Sequence, residues 1–340
     1  MQLFEIVGGT RLKGKVDISG AKNAALPIMA ASILVDGESV LQNVPDLADV
    51  RQMQTLLARL GVKSERDASG AMHLRVEDEM NAHAEYELVS KMRASVCVMG
   101  PLLAKRRRAQ VSMPGGCAIG DRPIDLHILG LQTFGAEFEL LNGDVLLRAK
   151  KLKGGEVFLG GPFGSSVTAT ANVMMAATLA EGRTVIASAA CEPEVVDLAN
   201  YLNACGARIT GQGTPEINVE GVESLHGAEH RIIPDRIEAG TFMMAAAITN
   251  GDLELQGARM EHMRALVDRL RRVGVVIERG EKGLAVSSSR RLEPVVITTQ
   301  PYPGFPTDLQ AQAMALLCLA DGNSVITEKI YPDRFLHVGE

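Results

Sequence analysis

Residues 49–64 read D-V-R-Q-M-Q-T-L-L-A-R-L-G-V-K-S, an amphipathic helical run that stops on Leu60-Gly61 and turns extended at Val62. A glycine just past the last helical residue suits a left-handed cap, and a β-branched residue behind it suits the start of a strand. The same punctuation returns at Phe134-Gly135, Cys205-Gly206 and Val273-Gly274, at separations of 74, 71 and 68 residues. A second marker, a helix closing on a small polar or acidic residue plus glycine, stands at Val35-Asp36-Gly37, Ala180-Glu181-Gly182, Thr249-Asn250-Gly251 and Ala320-Asp321-Gly322. Its glycines lie 145, 69 and 71 apart, so the first gap spans two periods with one degenerate copy inside it.

Within one period the spacing predicts helix 24–34, strand 39–42, helix 49–60 and a strand pair at 62–64 and 72–76. Alternating elements in a unit of that size imply an α/β architecture of repeated sheet-plus-helix modules. The runs 166–180 and 238–248 are apolar on most faces and predict helices buried inside their domains. A fifth unit opens near Asp308, and Glu340 arrives before its second helix is complete, so the expectation is a chain truncated at its C-terminal end.

With 340 residues, 46% hydrophobic and 22% charged, the chain has material for two folded domains and none of the marks of disorder. Its net charge of −6 supplies no global field for nucleic acid or anionic lipid, so no nucleic-acid partner is expected. Five cysteines, odd in number and never in C-x-x-C spacing, argue for a reducing compartment and against a disulfide framework or zinc site. Met1 to Lys15 has no apolar core of a signal peptide, and the uncharged stretch Val157–Ala180 is broken by glycines, so no membrane insertion is expected. The location these features imply is cytoplasmic.

Gly9 to Lys15, G-T-R-L-K-G-K, matches the start of a phosphate-binding loop, but Val16 replaces its hydroxyl residue and a strand pattern follows where a helix is needed. No G-x-G-x-x-G is present. His226 and His230 read as solvated loop histidines, and Lys105-Arg106-Arg107-Arg108 as a solvated turn. Cys97, Cys205 and Cys318 lie in apolar helical patterns and read as small buried hydrophobes. Cys117 differs, because it follows Pro114-Gly115-Gly116 in a loop and precedes Arg122. Lys22 and Asn23, at the start of an apolar helix, make either an anion site or a simple cap. Phe305-Pro306-Thr307-Asp308 likewise opens a helix, with an N-cap as its plain reading.

Six segments carry a resemblance: I-V-G-G-T-R-L-K-G-K-V-D-I-S-G-A-K-N-A-A-L-P (6–27), M-R-A-S (92–95), P-G-G-C-A-I-G-D-R-P-I-D-L-H (114–127), A-A-T-L-A-E-G (176–182), P-D-R-I-E-A-G-T-F (234–242) and F-P-T-D-L-Q-A-Q (305–312). Together they resemble the enolpyruvyl transferases, on the UDP-N-acetylglucosamine 1-carboxyvinyltransferase side of that family. The resemblance implies an inside-out α/β barrel of two domains with three repeats each, the last repeats missing here. Its domains would be 22–233, and 1–21 plus 234–340, with substrates in the cleft between them.

The activity so implied is transfer of the enolpyruvyl group of phosphoenolpyruvate to the 3′-hydroxyl of UDP-N-acetylglucosamine with release of phosphate, the first committed step of peptidoglycan synthesis. By the resemblance, Asp308 is the proton acceptor, and Cys117 is the general acid and the target of fosfomycin. Lys22, Arg93 and Arg122 surround phosphoenolpyruvate, and Asn23 touches the reacting centre. Arg122, Pro123, Ile124, Asp125 and Leu126 take the uridine, Ser166 and Val167 the diphosphate, and Ile330 a further part of the nucleotide. No metal or cofactor is implied, and a monomer is expected. Three departures stand out: Thr168 where the family usually has glycine, no lysine in Gly161-Pro162-Phe163-Gly164, and Tyr331-Pro332-Asp333-Arg334 for an acidic-Asn-Arg segment. With the end missing, weak or no turnover is expected of this chain. The alternatives are a 3-phosphoshikimate 1-carboxyvinyltransferase and a non-catalytic UDP-sugar-binding paralogue.

Overall fold

The computed structural model describes residues 3, 5–113, 123–288 and 291–339. The chain divides into two compact units, Gly20–Ile233 and Met1–Ser19 with Pro234–Glu340.

Unit 20–233 holds three copies of one design. In the first, helix Lys22–Ala31 leads into strand Glu38–Gln42, helix Ala48–Arg59 follows, and Val62–Arg66 returns through Met72–Val76. The second copy runs through the 3-10 turn Arg93–Val98, helix Met99–Arg106, strand Arg108–Ser112, helix Asp125–Thr133 and the hairpin Glu137–Leu141 with Asp144–Arg148. The third uses Val167–Ala177, Arg183–Ala187, Pro193–Ala204 and Arg208–Thr210 with Glu216–Glu220. In each sheet the last strand lies between the other two, antiparallel to both.

A fourth strand is lent by the preceding copy. His83–Ala84 pairs parallel with Arg108–Ser112, Glu156–Phe158 with Arg183–Ala187, and Glu229–Arg231 returns to Glu38–Gln42. Each lent strand covers an edge that would otherwise expose unpaired backbone groups.

The leading helices form the interior, and the sheets lie outside them. Helix Lys22–Ala31 buries seven of its ten residues, and Val167–Ala177 buries nine of eleven. Gly100 lets two of these helices approach closely: a Cβ there would stand 2.2 Å from the Asn172 carbonyl oxygen.

The other unit repeats the design once in full, with helix Arg236–Ile248, strand Asp252–Gln256, helix Arg264–Val273 and the hairpin Val275–Arg279 with Gly283–Ser288. Lys13–Asp17 is its parallel fourth strand. Beyond it, Val296–Thr298 pairs parallel with Val325–Thr327, and the 3-10 turn Thr307–Leu309 leads into helix Gln310–Leu317.

The helix-stopping glycines at 61, 135, 206 and 274 all have positive φ, from 77° to 102°. The degenerate copy of the other marker is Arg107, which caps Met99–Arg106 in the left-handed conformation at φ 58°. The run 105–108 is a solvated turn only in part: Arg107 and Arg108 are exposed, while Lys105 and Arg106 are engaged by the fold. Lys105 Nζ stands 2.5 Å from Asp36 Oδ1, and the Arg106 guanidinium donates to the carbonyls of Leu60, Asp78 and Asn81.

Two further expectations are corrected. Cys318 is exposed, while Cys97 and Cys205 are buried, and burial pushes their thiols up to about 12 and about 11. His230 is not solvated: its Nε2 lies 3.0 Å from Asp197 Oδ1, and its ring meets Tyr201 edge-on. It sits on the lent strand Glu229–Arg231, a placement that its spacing from His226 cannot disclose. Among the described residues no helix is long and apolar enough to cross a membrane.

Candidate active site

Lys22, Asn23, Arg93, Ser166, Val167 and Asp308 share one place in the repeat, the start of the leading helix or of the turn before it, whereas Pro123–Leu126 open a second helix and Ile330 follows a strand. Lys22 is the first residue of its helix, and its Nζ stands 2.9 Å from Asp49 Oδ2. No side chain caps that helix, so the plain cap reading of Lys22 and Asn23 does not hold. Asn23 is exposed, and Pro27 brings no N–H to its carbonyl. Arg93 opens the corresponding turn of the second copy and is half-buried. Cys117 and Arg122 lie outside the described residues.

In the third copy, Ser166 caps helix Val167–Ala177, its hydroxyl accepting from Ala169 N at 3.3 Å. Thr168, the second residue of that helix, meets His127 Nε2 at 3.1 Å. His127 follows the stretch Pro123–Leu126, whose Ile124 is buried at the mouth of helix Asp125–Thr133. One imidazole thus links the end of the stretch that the resemblance gives to uridine with the residue next to the Ser166-Val167 pair that it gives to the diphosphate.

The network around His127 sets its tautomer. Asn172 Oδ1 accepts from Gly100 N at 2.7 Å, so its amide nitrogen donates to Val96 O at 2.8 Å and to His127 Nδ1 at 2.7 Å. With Nδ1 accepting, Nε2 carries the proton and donates to Thr168 Oγ1. Burial, helped by the nearby Arg93 charge, pushes the imidazole down to about 3, so it is neutral. The Thr168 hydroxyl proton has no acceptor among the described residues and is available to a ligand.

In the other unit the corresponding start is charged. Thr307 and Asp308 do not cap their turn. Arg334 Nη1 donates to Asp308 Oδ1 at 2.7 Å and to Thr307 Oγ1 at 3.2 Å. Asp308 Oδ2 has no partner among the described residues. The half-buried Ile330 follows Glu328, which accepts its N–H at 2.7 Å. Arg236 stands at the equivalent helix start of the preceding copy, 5.7 Å from the centre of the Tyr302 ring. Sequence reasoning assigns no role to His127, Arg334 and Arg236, though all three stand in the quoted segments, and does not single out Glu328; the common position at a helix start was the available signal for Arg236. Among the described residues no group of three or more His, Cys, Asp or Glu side chains could hold a metal.

A family model described as EPSP synthase (3-phosphoshikimate 1-carboxyvinyltransferase) matches residues 6–340, and the chain belongs to that family, the enolpyruvyl transferases. Within it the chain is 50% identical over 340 residues to the UDP-N-acetylglucosamine 1-carboxyvinyltransferase of Methylacidiphilum infernorum, covering all of this chain and 80% of that protein. It is 52% identical to UDP-N-acetylglucosamine 1-carboxyvinyltransferase 1 of Staphylococcus aureus MRSA252, over all of this chain and 81% of that protein. The enolpyruvyl transferase NikO from Streptomyces tendae superposes with a TM-score of 0.87 at 22% identity, covering 98% of this chain and 78% of NikO. An EPSP synthase of Acinetobacter baumannii gives 0.69 at 19% identity, covering 94% of this chain and 74% of that one. These likenesses show the inside-out enolpyruvyl transferase fold.

Proposed function

We propose that the chain transfers the enolpyruvyl group of phosphoenolpyruvate to the 3′-hydroxyl of UDP-N-acetylglucosamine and releases phosphate, in the cytoplasm, as a step of peptidoglycan synthesis. The observation that carries this is identity of about half, along the whole chain, to proteins named for that activity.

The chemistry needs a base for the hydroxyl, an acid for the methylene carbon and cations for phosphate and carboxylate. Asp308 is the base: Arg334 holds one carboxylate oxygen, and the other takes the proton as the sugar oxygen bonds to C2. Cys117 delivers a proton to C3 as the double bond opens, giving a tetrahedral ketal. Loss of a C3 proton then re-forms the double bond and expels phosphate. Lys22, Arg93 and Arg122 balance the anionic groups throughout, and Asn23 bonds to the reacting centre. The uridine lies on Pro123–Leu126 and Ile330. Ser166 and Val167 meet the diphosphate, where the helix N-terminus favours negative charge. Fosfomycin alkylates Cys117, and the working form is a monomer.

A phosphate-release assay with phosphoenolpyruvate and either acceptor tests the reading. Release that requires UDP-N-acetylglucosamine supports it. Release that requires shikimate 3-phosphate, or tight UDP-sugar binding without release, overturns it.

A further inference from the structure

Glu328 is a carboxylate at 8% exposure, and it receives four donors from three segments of chain. Thr299 Oγ1, at the end of strand Val296–Thr298, donates to Oε1 at 2.6 Å. Ile330 N and Tyr331 N donate to the same oxygen at 2.7 and 3.0 Å. Thr307 Oγ1 donates to Oε2 at 2.9 Å, and that hydroxyl in turn accepts from Arg334, the residue that holds Asp308. The two oxygens therefore face different tasks, Oε1 shaping the backbone at Ile330 and Oε2 fixing the turn that carries Asp308.

We propose that Glu328 is the positioning residue of this half of the site, setting the nucleotide contact at Ile330 and the base at Asp308 in one register. The inference rests on the reading given under Proposed function. A charged acceptor makes stronger hydrogen bonds than a neutral one, and the donors it satisfies, Thr299 buried and the other three half-buried, are costly to leave unpaired. The parallel pairing of Val296–Thr298 with Val325–Thr327 delivers Thr299 and Glu328 to one spot, and Lys329 N bonds back to Thr299 Oγ1 at 2.9 Å.

Because the two oxygens divide the work, substitution separates them. In Glu328→Gln the carbonyl oxygen replaces Oε1 and keeps its three donors. The amide nitrogen then confronts Thr307 Oγ1, which must surrender its proton's acceptor and shift its bond with Arg334. The expected result is a kcat lower by about 10- to 100-fold, the size of effect that a small misplacement of a reacting group produces, with UDP-N-acetylglucosamine affinity within about threefold. Glu328→Ala should lower kcat and weaken UDP-sugar binding together. Thr307→Val should match Glu328→Gln, and the double variant should be no worse than either alone. A wild-type kcat in Glu328→Gln, or equal losses of kcat and affinity in it, overturns the division.

Amide hydrogen exchange of the whole chain supplies a readout that does not need turnover. Protection of the Ile330 and Tyr331 amides should persist in Glu328→Gln and fall at least about tenfold in Glu328→Ala, because only the second removes their acceptor. Unchanged protection in Glu328→Ala overturns the inference even where wild-type protein releases no phosphate, a result that would count against the proposed reaction instead.

Discussion

Helices Val167–Ala177 and Gln310–Leu317 lead equivalent copies of the repeat, yet their surroundings are built on opposite principles. Around the first, the buried side chains His127 and Asn172 are neutral, and every ring and amide atom able to bond has a partner. Around the second, Arg334, Asp308 and Glu328 form a charged chain, and the fully buried Gln310 has no partner for either amide atom among the described residues. A neutral, satisfied network holds one shape at little electrostatic cost and suits a template for a nucleotide. A charged one fixes groups that must meet a proton, and leaves residual unmet polarity behind.

The largest expected break in this contrast is Asp308→Asn. If the charged start does the chemistry and the neutral start only binds, kcat should fall by about 10²- to 10⁴-fold, the range for removal of a general base, while UDP-N-acetylglucosamine affinity holds. Steady-state kinetics beside calorimetric titration measures both. Parallel losses would make Asp308 a binding residue and erase the distinction between the two starts.

Next in size is Asn172→Leu, which strands Gly100 N, Val96 O and His127 Nδ1 in the interior at once. At about 1–3 kcal/mol for each orphaned group, partly relieved by relaxation, a loss of about 3 kcal/mol or more is expected. It should appear as earlier urea unfolding of peptides from 20–233, followed by exchange, with peptides from 234–339 little changed. A shift common to both units would mean that they unfold as one.

The neutral imidazole also predicts a pH dependence. His127 is held at about 3 when folded, against about 6.5 for a free histidine, so between those values the unfolded chain binds a proton that the native chain does not. Stability conferred by His127 is thus fully present above about pH 6.5 and is lost as the pH falls toward 3, at no more than about 1.4 kcal/mol per pH unit. His127→Gln should flatten that slope in denaturant titrations at pH 4 to 7. A slope unchanged by the substitution would place the acid sensitivity in other groups.

How much of this was legible in the sequence follows from how local each cause is. The repeat was readable because a helix that ends and re-enters a strand needs a left-handed residue, and Gly61, Gly135, Gly206 and Gly274 supply it at a fixed spacing. Arg107 hid the remaining copy by adopting that conformation without being glycine, in the middle of what reads as a charge run. The lent strand His83–Ala84 is two residues long, too short for any alternation to show. Helix Lys22–Ala31 was placed to within two or three residues of its ends, with 32–34 tightening into a 3-10 turn. Glu328 bonds locally to the Ile330 and Tyr331 amides, but its link to Thr299 and Thr307, and that of Arg334 to Asp308, joins residues more than twenty positions apart, which no local pattern discloses. His127 likewise depends on Asn172, 45 residues distant.

The smallest effect is also the one with an unusual sign. Gln310 is completely buried, and neither of its amide atoms has a partner among the described residues, so the folded chain bears the desolvation cost of both. Methionine has nearly the same volume and shape without the polar atoms, and volume-conserving replacements disturb packing little. Gln310→Met should therefore raise stability, by about 1 kcal/mol once imperfect packing offsets part of the gain. The same change at the satisfied position, His127→Met, should lower it, because Asn172 Nδ2 and Thr168 Oγ1 would lose their common partner. Urea titrations of the two variants beside wild type read the pair of signs directly. Opposite signs confirm that the two helix starts differ in how well their buried polarity is satisfied. A destabilising Gln310→Met would show that the amide is bonded in solution, and that the second start is as well satisfied as the first.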